Sequence, residues 1–190
     1  MIEKMIRAAR LDPTLYNQVE ADQNETSNAL IIVVLVGIIS GLGAAGASLF
    51  AASQGVGAGN PIMAFIGAVL SAVLGWIVWS FIIYFVGTRV YNAATTPGEL
   101  LRTLGYAQSP AILNILGGIP CLGVIISLVV MVWTLVASFI AAREALDLDT
   151  TKTLITVILG FIVSFILTLI IGAILGVGAL GLGALTGAFR

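Results

Sequence analysis

The chain has 190 residues, of which 59% are hydrophobic and 9% charged, with a formal net charge of −1. Soluble domains carry about 25% charged residues, so a water-soluble globular class is excluded, and the near-neutral charge removes the electrostatic basis for binding nucleic acid. There is no histidine and a single cysteine, which excludes an intrachain disulfide and a cysteine- or histidine-based metal site; Cys121, beside Pro120, reads as a small apolar filler.

Met1–Arg10 alternates at helical period. Ile2, Met5, Ile6 and Ala9 form one face, and Glu3, Lys4, Arg7 and Arg10 the other. Two berths suit such a helix: the anionic leaflet, with its basic residues among the headgroups, or the protein's own cytoplasmic loops. The polar stretch that follows departs from the signal-peptide layout, so this segment is expected to be retained. Asp12-Pro13 predicts a second helix over Thr14–Glu20, with Leu15, Tyr16 and Val19 free to dock. Residues 1–28 thus form a cytoplasmic amphipathic segment. The Asn24-Glu25-Thr26 sequon falls on the cytoplasmic side and is discounted.

Residues 29–52 make the first predicted span, about 36 Å long as a helix against a hydrocarbon core of about 30 Å. Its Gly37-x-x-x-Gly41 stripe permits close backbone approach, either within one chain or between copies. A short uncharged turn leads to a second span over 61–88. There Tyr84, Arg89 and Tyr91 suit the interface, and Trp76 and Trp79 suit a deeper position.

Thr96–Pro120 is the longest polar interruption between apolar runs. Thr96, Pro97 and Glu99 spell a capping box with proline at the first helical position. Leu100, Leu101, Leu104, Ala107, Ala111, Ile112 and Ile115 share a helical face. Glu99 and Arg102, three apart, are placed to pair, and Pro110 predicts a kink or a restart of the helix. Ser109–Ile119 alone would rise about 16 Å, too short to cross; joined to the turns from Leu100 it makes a short kinked third span over 100–119. Residues 121–142 and 153–176 are the fourth and fifth. If the third segment crosses, Lys4, Arg7, Arg10, Arg89, Arg102, Arg143 and Lys152 all fall on one side, which the positive-inside rule favours. The expected fold is therefore an all-α integral membrane protein, a five-helix transmembrane bundle with an N-terminal interfacial helix, N-terminus inside and C-terminus outside. Gly172-x-x-x-Gly176 offers a second packing stripe, and residues 177–190 are a glycine-rich apolar tail.

No carboxylate, lysine or arginine falls in the middle of a span, which argues against ion-coupled transport. With no histidine and no nucleophile–base set, an enzyme is not expected, nor any catalytic residue, cofactor or metal. Asn114 is the one strongly polar intramembrane side chain. It serves either an interhelical hydrogen bond or, with Tyr106, Gln108 and Ser109 and the carbonyls freed by Pro110, a polar cleft.

Leu104-Gly105-Tyr106-Ala107-Gln108-Ser109-Pro110 resembles the L-G-Y-x-x-x-P signature of the Yip family, the Ypt/Rab-interacting membrane proteins. Pro97–Pro110 is similar to the longer P-G-E-L-L-R-x-L-G-Y-A-x-x-P pattern of its short prokaryotic-type members, and Trp133 with Ala142-Arg143-Glu144-Ala145-Leu146-Asp147 forms a second match. The resemblance covers roughly Asn28 to Gly176. It implies five spans, a prokaryotic plasma membrane, and a role in membrane organisation through a cytoplasmic face. The candidate interaction face or cleft comprises Glu99, Arg102, Tyr106, Gln108, Pro110, Asn114, Arg143 and Glu144. Expected partners are the lipid bilayer, a cytoplasmic or membrane protein, and a second copy through the Gly37/Gly41 or Gly172/Gly176 stripe. Two functions stand: a non-enzymatic scaffold or adaptor, and a passive lipid- or solute-translocating protein using a cleft at Tyr106–Asn114.

Overall fold

The computed structural model of the chain describes residues 1–55, 59–118 and 123–174, the side chains of 117, 118, 124 and 167–174 excepted. Cys121, Gly176 and residues 177–190 lie outside the described residues, and with them the expected cysteine filler, the second glycine stripe and the glycine-rich tail. Within them the chain is all helical: α1 (Ile2–Ala9), α2 (Pro13–Ala21), α3 (Glu25–Ser53), α4 (Pro61–Tyr91), α5 (Pro97–Tyr106), a 3₁₀ helix (Ser109–Gly118), α6 (Gly123–Leu146) and α7 (Thr150–Ile174). By length and composition α3, α4 and Ile125–Leu146 of α6 suffice to cross a membrane. Their outward surface is apolar, with Phe50, Phe85, Leu128 and Phe161 of α7 more than half exposed. Such a surface is stable only where lipid, not water, is the solvent, so the protein is an α-helical membrane protein.

Local chemistry accounts for the helix starts. Asp12 Oδ1 accepts from the Thr14 N–H at 3.0 Å ahead of Pro13, and Asn60 Oδ1 accepts from the Ile62 N–H at 2.9 Å ahead of Pro61. At α5 the predicted capping box forms: Thr96 Oγ1 accepts from the Glu99 N–H at 3.3 Å, and Glu99 Oε2 accepts from the Thr96 N–H at 2.9 Å. Each such cap satisfies donors that the helix cannot.

Of the kink and the restart expected at Pro110, the third segment takes the restart, and in a different helical form. The α-helix stops at Tyr106, and from Ser109 the chain winds as 3₁₀, three residues per turn instead of 3.6. The change of period explains the fate of the predicted apolar face. Leu100, Leu104, Ala107 and Ala111 are buried, whereas Ile115 is rotated outward and is 64% exposed. The fold also resolves the Gly37/Gly41 stripe. A Cβ on Gly37 would meet Ala72 at 3.1 Å, and one on Gly41 would meet the Phe65 ring at 2.8 Å. The stripe is therefore occupied by α4 of the same chain, not left open to a second copy.

The core sits at one end of the helices. It joins Ala8, Leu15, Tyr16, Val19, Ala29, Ile32, Ile83, Leu100, Leu104, Tyr106, Ala137, Ala141 and Leu146, so α1 and α2 are docked on the membrane helices. Of the two berths for α1, the protein surface takes Ala8 (0% exposed), while Ile2 (70%) and Ile6 (49%) point outward as an apolar ridge.

Candidate functional site

Two regions collect the polar side chains: a cap built on α1, α2 and α5, and a cleft between the 3₁₀ helix, α6 and α7.

The cap is held by side chains that reach the C-terminal carbonyls of its short helices. These carbonyls have no partner within their own helix. Arg102 Nε donates to the Val19 carbonyl at 3.1 Å, and its Nη2 donates to that of Glu20. The guanidinium fork thus closes the last turn of α2, where a cation is also favoured by the helix dipole. Trp133 Nε1 donates to the Ala9 carbonyl at the end of α1 at 2.7 Å. Arg7 ties α1 to the start of α2 through Asp12 at 2.8 Å. The expected Glu99–Arg102 pair does not form, because Glu99 is committed to its capping box and Arg102 turns to α2.

Glu25, 6% exposed, anchors the start of α3. Lys4 Nζ lies 2.6 Å from its Oε1. Asn28 Nδ2 donates to its Oε2 at 2.8 Å, and the Tyr106 hydroxyl donates to the same oxygen. A buried carboxylate is stable only when so provided. The neighbouring residues of the L-G-Y-x-x-x-P stretch have equally specific contacts. Leu104 is in the core. Gly105 abuts α3, where a Cβ would meet that of Ala29 at 2.7 Å. Ser109 Oγ donates to the Tyr106 carbonyl at 2.6 Å, which ends α5 ahead of Pro110. The stretch is the seam between α5 and α3.

The candidate residues therefore divide. Arg102 (6% exposed) and Tyr106 (0%) are inside the cap and hold it. Glu99 caps α5. Arg143 pairs with Glu144 at 2.6 Å, and Glu144 also accepts from Asn17 Nδ2 at 3.1 Å, joining α6 to α2. Pro110 is buried at the start of the 3₁₀ helix. Gln108 and Asn114 line the cleft. Sequence reasoning missed Trp133 as the clamp on α1, and Glu20, whose Oε2 is buried without a hydrogen-bond partner. Burial, with Asp147, Glu99 and Glu144 nearby, pushes the Glu20 carboxyl up to about 7, against the opposing charge of Arg102. Nothing in the local sequence around Glu20 signals this, because the three neighbouring acids come from α5 and the end of α6.

The cleft has a volume of about 810 Å³. Gln108, just ahead of the 3₁₀ helix, and Ala111 and Asn114 within it face Ser127, Val130, Thr134 and Ser138 of α6, with Ser40 of α3, Trp79 of α4, and Phe161 and Ser164 of α7 completing the wall. On α6 the polar positions 127, 134 and 138 recur at helical period, so they form one stripe. Asn114 Oδ1 and Thr134 Oγ1 are buried without a hydrogen-bond partner in the protein. Among the described residues no ionisable side chain lines the cleft, and no group of three or more histidine, cysteine or acidic residues suited to a metal occurs. The site offers hydrogen bonding without charge and without a nucleophile–base pair.

The family model described as the Yip1 domain matches residues 12–187. No match was found among curated proteins or solved structures. A match over nearly the whole chain is decisive for membership: the chain belongs to the Yip family.

Proposed function

We propose that this Yip-family protein is a non-enzymatic membrane scaffold that crosses the bilayer five times, N-terminus cytoplasmic, and engages a protein partner through its cap. The observation that carries the reading is the docking of α1 and α2 by Arg102, Trp133 and Lys4–Glu25. Docking turns a polar N-terminal segment into a fixed surface beside Asn17, Glu144 and Asp147, and a pre-organised surface loses less entropy on binding than a loose one. The acidic side chains around Glu20 suit a partner with a basic contact. Two facts support five crossings. A Cβ on Gly87 would meet Leu146 at 2.6 Å, so α4 and α6 end at the same side, next to Arg89 and Arg143. A crossing between them would account for this, and α5 plus the 3₁₀ helix, laid end to end, would reach about 35 Å. The test is photo-crosslinking in native membranes with probes at Asn17 and Asp147, both exposed. A discrete protein adduct is expected; adducts to lipid alone would overturn the scaffold reading.

A second reading has its own observation, the cleft. A passive path for an uncharged solute along Asn114 and Thr134 predicts flux in proteoliposomes that Asn114→Leu abolishes, and a tight reconstituted membrane rejects it.

A further inference from the structure

We infer that α1 is inserted into one leaflet of the bilayer: its outward ridge of Met1, Ile2 and Ile6 lies among the lipids at the Arg143 end of α6, below the headgroups, while its inner face stays docked on the protein. The partner of this surface is the lipid itself. The inference holds whether or not the cap engages a protein, and whichever side of the membrane that end of α6 faces.

The position comes from Trp133. Its indole Nε1 donates to the Ala9 carbonyl at 2.7 Å, and Trp133 stands ten residues before Arg143 in α6, about 15 Å of helix further into the bilayer. Arg143 marks the headgroup level, because a charged side chain is costly at greater depth. The end of α1 is therefore fixed against the flank of α6, on the acyl side of that level, and not above the helix ends. The start of α1 is held at the first residue of α3, where Lys4 meets Glu25 at 2.6 Å. The surface around this berth already faces lipid. Val129 and Val136, one turn to either side of Trp133 on the same face of α6, are 56% and 40% exposed. The 3₁₀ helix, which also packs against α1, turns Ile115 outward. The ridge of α1 extends this apolar surface.

The polar chemistry of α1 fits acyl depth better than water. The last four carbonyls of a helix lack partners in its regular ladder, and water commonly meets them. In α1 the protein meets all four. Ile6 accepts from the Arg10 N–H at 2.9 Å, Arg7 from that of Asp12 at 3.2 Å, and Ala8 from that of Leu11 at 3.0 Å and from the Tyr16 hydroxyl at 3.3 Å. Ala9 accepts from Trp133. Lipid offers no such partners, so internal satisfaction is what a helix end at that depth requires. Charge is treated the same way. Arg7 donates to Asp12, Gln18 and Thr14, and Lys4 is paired with Glu25. The exposed charged side chains of α1 and its cap are Glu3, beside the chain start, and Arg10, whose long stem lets the guanidinium snorkel to the headgroups.

The experiment uses the full-length protein at one chain per phosphatidylcholine nanodisc. In a Cys121→Ala background, Ile2→Cys, Ile6→Cys and Asn17→Cys each carry a nitroxide. Collisions with oxygen, which concentrates among acyl chains, are compared with those of a nickel chelate, which stays in water. The labels at 2 and 6 are expected to favour oxygen, at a depth of about 5–10 Å below the headgroups, and the label at 17 to favour the chelate. Chelate access at 2 and 6 equal to that at 17 would put the ridge in water, free for a protein partner, and overturn the proposal. Shielding from both reagents would mean that protein covers it, and would overturn it equally. A second measurement needs no substitution: a phosphatidylcholine with a photoactivatable group near the glycerol end of its acyl chain should leave adducts on residues 1–7 of the unmodified chain. Adducts confined to α3, α4, α6 and α7 would reject insertion.

Discussion

Gly105 shows how one hydrogen atom in place of a side chain sets the approach of two helices. A methyl there would sit 2.7 Å from the Ala29 Cβ and 3.2 Å from its Cα, and backbone cannot step aside as a flexible side chain does. Gly105→Ala is expected to destabilise the protein by about 1–3 kcal/mol, measured as a lower melting temperature in detergent. Gly75, inside α4, has nothing within 4 Å of its Cβ position, so Gly75→Ala should raise stability by about 0.5–1 kcal/mol. If the two changes move the melting temperature in the same direction, close packing is not what Gly105 supplies. Glu20 gives a pH signature. Its carboxyl stands at about 7 in the folded chain against 4.5 for an ordinary glutamate, chiefly through burial. Between these values the folded chain binds the extra proton, so the stability from this group is complete below about 4.5 and is lost as pH rises through about 7. Glu20→Gln keeps the neutral form throughout. It should raise the melting temperature at about pH 8 and leave it unchanged near pH 4.5; a gain of equal size at both would mean that charge is not the cause.

At the scale of elements, α1 and α2 are too short to persist alone in water; they exist here because other helices complete them. The closure of α2 by Arg102 replaces the glycine cap found at many helix ends, and Trp133 does the same for α1. This arrangement makes the docked segment depend on two side chains far away in sequence. Hydrogen bonds from a charged donor are worth about 1.5–3 kcal/mol, which is about 10- to 100-fold in the population of the undocked state. Arg102→Met is therefore expected to speed tryptic cleavage after Arg7 and Arg10 by about that factor in intact, folded protein. Arg102→Lys keeps the charge but loses the fork that spans the Val19 and Glu20 carbonyls, so it should fall between the two. Cleavage at the parental rate in Arg102→Met would mean that apolar contacts of Leu15, Tyr16 and Val19 hold the cap without it.

For the whole molecule, what could be read from the residues was whatever is encoded locally: apolar runs of bilayer length, the capping box at Thr96–Glu99, the proline starts at Pro13 and Pro61, and the break before Pro110. What could not be read depends on partners distant in the chain. The berth of α1 is decided by Trp133, the direction of Arg102 by the end of α2, and the use of Gly37 and Gly41 by Phe65, Val69 and Ala72. The cleft was legible only at Gln108 and Asn114, because its other wall is a serine–threonine stripe that also suits ordinary helix packing. The choice that the residues decide by charge alone, whether 100–119 crosses or turns back, turns in the structure on which side α6 ends. If the segment crosses, the 147–150 turn lies in the cytoplasm with α1 and α2, and Gln54, just past α3, lies outside. In a Cys121→Ala background, Asp147→Cys should then resist an impermeant maleimide added to intact cells and react only after the membrane is opened. Gln54→Cys should react from outside. External labelling of Asp147→Cys would place Arg143 and Lys152 outside, contrary to the positive-inside rule, and would mean that the 3₁₀ helix re-enters the membrane and returns.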